Sequence, residues 1–164
     1  TDESIFKREE DRFMRALNSV TDEVPGYKFE LGKGAVLRDG SDVTVIATGM
    51  MVQEAVKAAD SLKAEGLSVR VIDMHTIKPL DEELVLKAAR ETGAIVTSEE
   101  ANVLGGLGSA VCECVSAGCP VPVVRHGVND EFGRSGEAKA VLKAYNLTAD
   151  GIVKAVRKAL SLKK

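Results

Sequence analysis

The sequence predicts an α/β domain built on a largely parallel sheet, and three observations carry that reading. From Phe29 onward, short β-branched runs alternate with stretches of one-sided helical periodicity. Glycines stand where the helical stretches stop, at Gly66 and Gly93. The run Val43-Thr44-Val45-Ile46-Ala47 is apolar enough for a strand covered on both faces.

Residues 5–20 bring Ile5, Phe6, Phe13, Leu17 and Val20 near one face of a helix, and Thr21 to Gly26 reads as a turn because it contains Pro25 and Gly26. Residues 1–26 are therefore expected to be a helical arm or the remnant of an upstream region, with the domain proper over 27–164. A strand over Ala35 to Leu37 meets the turn Arg38-Asp39-Gly40 and then the run from Val43. A connection this short makes the two strands antiparallel, since a parallel pair needs a longer crossover. Val52, Ala55, Val56, Ala59 and Leu62 recur at helical spacing up to Gly66, and the strand Val69-Arg70-Val71-Ile72 follows.

Pro79 is excluded from a helix interior and Asp81 stands at an N-cap, so the next helix carries Leu84, Val85, Ala88 and Ala89 and stops at Gly93. Ala94 to Thr97 is a parallel strand. Gly105-Gly106-Leu107-Gly108 opens an apolar helix through Val111, Cys114 and Val115, and Pro120 to Val124 is the last strand, which Pro122 weakens or places at a sheet edge. Gly136 to Tyr145 and Thr148 to Ser161 are two helices around Asn146. Thr148 caps the second, and Lys158, Lys163 and Lys164 suit its negative end.

The chain of 164 residues is 45% hydrophobic and 29% charged, the composition of an ordinary globular domain. A net charge of -3 with mixed signs argues against a nucleic-acid face. The apolar run from Val103 to Val124 is broken by Gly105, Gly106, Gly108, Glu113, Pro120 and Pro122 and is a poor membrane span. The N-terminal Thr1-Asp2-Glu3-Ser4 lacks the order of a secretory signal, and three crowded cysteines suit a reducing compartment, so the cytoplasm is expected. Cys112 and Cys114 are two apart on a helix and face apart, which favours buried packing over zinc. Ser109 and Ser135 have no nucleophile elbow.

The unusual polar residues gather at strand ends. Asp73 and His75 follow one strand, Glu99 and Glu100 another, and His126 the last. Ligands of open α/β sheets collect outside the carboxyl ends of strands, so this cluster is a candidate contact for a small anion or a partner subunit. Ordinary loop roles, capping and backbone hydrogen bonds compete with that reading. Acid/base work by Glu99 and Glu100 is weakly supported, because adjacent strand residues point apart. Gly105, Gly106 and Gly108 ahead of a helix could offer amides to a phosphate, yet neither established phosphate motif is met and close packing explains them as well.

The strand Asp42-Val43-Thr44-Val45-Ile46-Ala47-Thr48-Gly49 resembles the opening strand of the transketolase C-terminal domain, a family similar to the first-component β subunits of 2-oxo acid dehydrogenases and to deoxyxylulose-phosphate synthase. Further blocks occur in the family's order: Tyr27 to Gly34, Val71 to Asp81, Thr97-Ser98-Glu99-Glu100 with Gly105 to Gly108, Phe132 to Gly136, and Tyr145 to Ile152. The resemblance implies a three-layer domain around a mixed five-stranded sheet with one antiparallel strand. It also implies an assembly and dimerisation role that is not itself catalytic. In the complete enzyme, thiamine diphosphate and Mg²⁺ sit between two other domains, which would be partners of this one, on the same chain or as a subunit. The local string Arg38-Asp39-Gly40 lacks the context of the diphosphate motif, so no cofactor ligand and no catalytic residue carries over. Two alternatives stay open: the matching region of a dehydrogenase β subunit or synthase, and a stand-alone module binding a small anion or protein.

Overall fold

The computed structural model describes Val24 and residues 27–163. Its strands are β1 (Ala35–Arg38), β2 (Val43–Ala47), β3 (Val69–Asp73), β4 (Ile95–Asn102) and β5 (Val123–Val128). Its helices are α1 (Met51–Ala64), α2 (Glu82–Thr92), α3 (Leu107–Gly118), α4 (Ala138–Ala144) and α5 (Ala149–Leu162). The helix expected over 5–20 lies outside the described residues.

The strands form one five-stranded sheet in the order β1-β3-β2-β4-β5. β1 runs antiparallel to β3, and the other neighbours are parallel, which is the mixed sheet that the resemblance implied. Successive side chains of a strand point to opposite faces, and β2 shows why it had to be apolar on both. Val43, Val45 and Ala47 join Leu62 of α1 and Ile152 and Val156 of α5 in one core. Ile46 joins Ile72, Ile95, Val85 of α2 and Leu107 and Val111 of α3 in the other. Thr44 shares that second face, where its hydroxyl is 2.9 Å from that of Thr92, which donates in turn to the Ala88 carbonyl.

The helix ends follow from their sequences. Asp81 caps α2 by accepting the Leu84 amide at 3.1 Å through one oxygen and holds the Gly34 amide at 3.1 Å through the other, tying the approach to β1 onto the helix. Gly93 closes α2 at φ +67°, a conformation that costs a side-chain-bearing residue more than glycine. The Thr148 hydroxyl accepts the Gly151 amide at the start of α5.

Three expectations are corrected. β1 and β2 run in opposite directions, as the short turn requires, but they do not pair as a hairpin: β3 lies between them and hydrogen-bonds to both. The connection passes over the start of β3, where Gly40 abuts the backbone of Val69 and Arg70, and Asp42 and Ser68 exchange bonds at 2.9 and 2.7 Å. β4 does not stop at Thr97 but runs on to Asn102, so Glu99 and Glu100 lie within it rather than after it. β5 begins at Val123, beyond Pro122, and continues to Val128, so His126 is inside that edge strand.

Candidate functional site

Four loops leave the carboxyl ends of β2, β3, β4 and β5, and the segment leading into β1 joins them because β1 is antiparallel. Asp73, the last residue of β3, is only 5% exposed. Burial pushes its carboxyl pKa up, and the nearby His75 partly offsets that. The His75 ring is framed by the segment leading into β1. Its Nε2–H donates to the Glu30 carbonyl at 3.2 Å, which leaves Nδ1 to accept the Tyr27 hydroxyl at 3.1 Å, and the Phe29 ring lies 4.8 Å away. Burial raises the Tyr27 hydroxyl pKa, and the Asp73 charge adds to it.

Glu99 is 2% exposed and faces α3. Its two oxygens accept the amides of Leu107 and Gly108, each at 2.9 Å. These are first-turn donors with no partner inside the helix, at the helix's positive end, so the buried charge meets both hydrogen bonds and a favourable dipole. Glu99 therefore already occupies the amides that a phosphate would take there. Gly105 donates its amide to the Ser109 hydroxyl at 2.9 Å. Glu100, one residue on, is exposed on the other face, with its carboxylate against Gly49 ahead of α1.

His126 is enclosed. Its Nε2–H donates to the Asn146 carbonyl at 2.9 Å between α4 and α5, so Nδ1 accepts the Ser98 hydroxyl at 3.0 Å. Burial lowers its pKa, and the bond to Asn146 partly opposes that. The structure thus groups Asp73 with His75, and Glu99 with Gly106 and Gly108, while Glu100 and His126 stand in separate surroundings.

Residues 32–152 match the family described as "Transketolase, C-terminal domain". The chain belongs to that family. It is 48% identical over 83% of its length to a 6-deoxy-6-sulfo-D-fructose transketolase subunit of Clostridium sp. (strain MSTE9), covering 42% of that protein. It is 45% identical over 78% to a putative transketolase C-terminal section of Methanocaldococcus jannaschii, covering 40%, and 44% identical over 77% to 1-deoxy-D-xylulose-5-phosphate synthase of Heliobacterium modesticaldum, covering 20%. A solved split gene transketolase, an inactive beta4 tetramer, matches with a TM-score of 0.83 at 52% identity, over 86% of this chain and 46% of that one. The chain thus spans less than half the length of each of these relatives.

Among the described residues no three His, Cys, Asp or Glu side chains are placed to hold a metal ion. At the Asp39-Gly40 turn, one Asp39 carboxylate oxygen accepts the Gly40 amide at 2.9 Å and lies 3.0 Å from the Arg70 guanidinium. Cys112, Cys114 and Cys119 are free and only half-buried, short of the full burial expected, although Cys114 and Cys119 do pack against the core beside α2 and α3. No helix among the described residues is long and apolar enough to cross a membrane.

Sequence reasoning missed Tyr27, Ser98 and Asn146. The aromatic pair Tyr27 and Phe29 just before β1 was the available signal for the first. Ser98 and Asn146 carry none, because their partner His126 comes from a distant strand. The Thr97 hydroxyl, buried without a partner beside Gly108, has no account in the geometry.

Proposed function

We propose that this domain is a non-catalytic assembly module of a transketolase. The complete enzyme would transfer a two-carbon ketol unit between sugar phosphates in cytoplasmic carbohydrate metabolism, with thiamine diphosphate and Mg²⁺ held by its other domains. One observation carries the reading: Glu99, His126 and His75 at the sheet's carboxyl end are taken up by the domain's own fold. Glu99 is used by the α3 amides, His126 by Ser98 and Asn146, and His75 by Tyr27 and Glu30. Partners are the thiamine-binding domains or subunit of the same enzyme and a second copy across a dimer. Relatives described as a subunit and as a beta4 tetramer support multi-chain assembly.

The synthase reading is the second, favoured by the 44% identity to the Heliobacterium enzyme. A domain exchange tests the assembly role. When residues 27–163 replace the matching region of the Clostridium subunit, the enzyme should keep its substrate and retain kcat within about tenfold. A folded, cofactor-bound chimera with altered substrate preference or no turnover would refute the role.

A further inference from the structure

Large exposed hydrophobic side chains are unevenly distributed over this domain. Of the eight among the described residues, six lie at the carboxyl end of the sheet. Met50 is in the β2–α1 loop, Ile77 in β3–α2, Leu104 in β4–α3 and Phe132 in β5–α4, while Phe29 and Leu31 are in the segment leading into β1. Each of the four loops that leave this end therefore exposes one. The loops at the opposite end, 39–42, 65–68, 93–94 and 119–122, expose none. Scattered apolar residues are normal on a surface, whereas their concentration at one end of a sheet points to a contact.

Phe132 is the extreme case. Its ring is 97% exposed, yet the backbone behind it is held: the Tyr145 hydroxyl donates to the Phe132 carbonyl at 2.7 Å, and Arg134 lies over the Tyr145 ring, 5.4 Å from its centroid, and 3.7 Å from Glu131. Asn102 of β4 anchors the same loop by donating to Asp130 at 2.9 Å. An aromatic side chain on a fixed backbone is prepared for insertion into a partner, because little ordering remains to be done on binding.

We infer that this rim docks the domain onto the part of a transketolase that precedes it; the inference rests on the assembly reading above. The choice of occupant comes from two facts. The matched family is a C-terminal domain, and the relatives are more than twice as long as the region they share with this chain. The segment that joins the domain to anything before it, with Tyr27 and Phe29 against His75, runs over this same end. The chain therefore enters the described domain beside the rim, and a domain linked through it meets the rim at a raised effective concentration.

The test is an NMR titration of the isotope-labelled chain with an unlabelled probe, the portion of the Clostridium transketolase subunit outside the matched region. Saturable shifts should concentrate at Met50, Ile77, Leu104 and Phe132. The double variant Leu104→Ser, Phe132→Ser should keep its circular dichroism and bind at least about tenfold more weakly, whereas Leu162→Ser, exposed but far from the rim, binds as before. Shifts concentrated on β5's edge or elsewhere would overturn the docking face while leaving the assembly role standing. Absence of binding would overturn both. Rim shifts that follow dilution of the chain without the probe would assign the surface to a second copy and overturn the choice of occupant.

Discussion

The carboxylate of Glu99 fills the space that a side chain at Gly106 would need. One residue is thus small so that the other can reach the first turn of α3, and neither choice is explained without its partner. Gly106→Ala should push the carboxylate off the Leu107 and Gly108 amides and destabilise the domain by about 1–3 kcal/mol, the range for losing hydrogen bonds to a charged group. Glu99→Gln, which keeps one acceptor, should lose less. Urea unfolding of both variants and their combination checks this, and strict additivity would show that the two residues are independent.

His126 joins β4, β5 and the α4–α5 turn as a neutral ring. Its folded pKa is depressed below the ordinary 6.5, chiefly by burial, so between the two values the unfolded chain binds a proton that the folded chain does not. Its contribution is complete above pH 6.5 and is lost as pH falls through the window beneath it. Urea midpoints of the native chain should decline from about pH 6.5 downward, and His126→Gln, less stable throughout, should lose that part of the slope. An unchanged slope in the variant would assign the titration elsewhere.

Asp73 works in the opposite sense. Burial raises its carboxyl pKa above 3.8 in the folded state, so the stability it contributes is present below 3.8 and is lost as pH rises through the raised value. Asp73→Asn should raise the melting temperature at pH 7, by about 2–4 °C for each kcal/mol relieved, with no gain at pH below 3.8. A lower melting temperature at pH 7 would mean that the ionised carboxylate has a stabilising partner.

Gly40 lets the β1–β2 connection cross the start of β3. Gly40→Ala meets the Val69 and Arg70 backbone, which cannot swing aside as a side chain can, and should cost about 1–3 kcal/mol by overpacking. Thermal melts read the loss. A neutral variant would show that this crossing has room to relax.

That crossing also marks where the sequence stops being readable. Local chemistry was legible: Asp81 and Thr148 cap the helices that follow them, and Gly93 ends α2. So was the opposed pointing of Glu99 and Glu100 from one strand. The insertion of β3 between β1 and β2 was not, because a four-residue turn fixes direction but not which strand supplies the hydrogen bonds. The reach of β4 to Asn102 was hidden for a related reason: two consecutive glutamates look like a loop until the α3 amides that accommodate the buried one are known. His126 was misplaced similarly, since Ser98 and Asn146 satisfy its ring from positions 28 and 20 residues away.

Calorimetric titration of the isolated chain with thiamine diphosphate and Mg²⁺ tests the assembly role most directly. A domain that only assembles gives no saturable heat, with any dissociation constant above about 1 mM. Stoichiometric, saturable binding tighter than that would contradict the assembly role and return the strand-end residues to the cofactor.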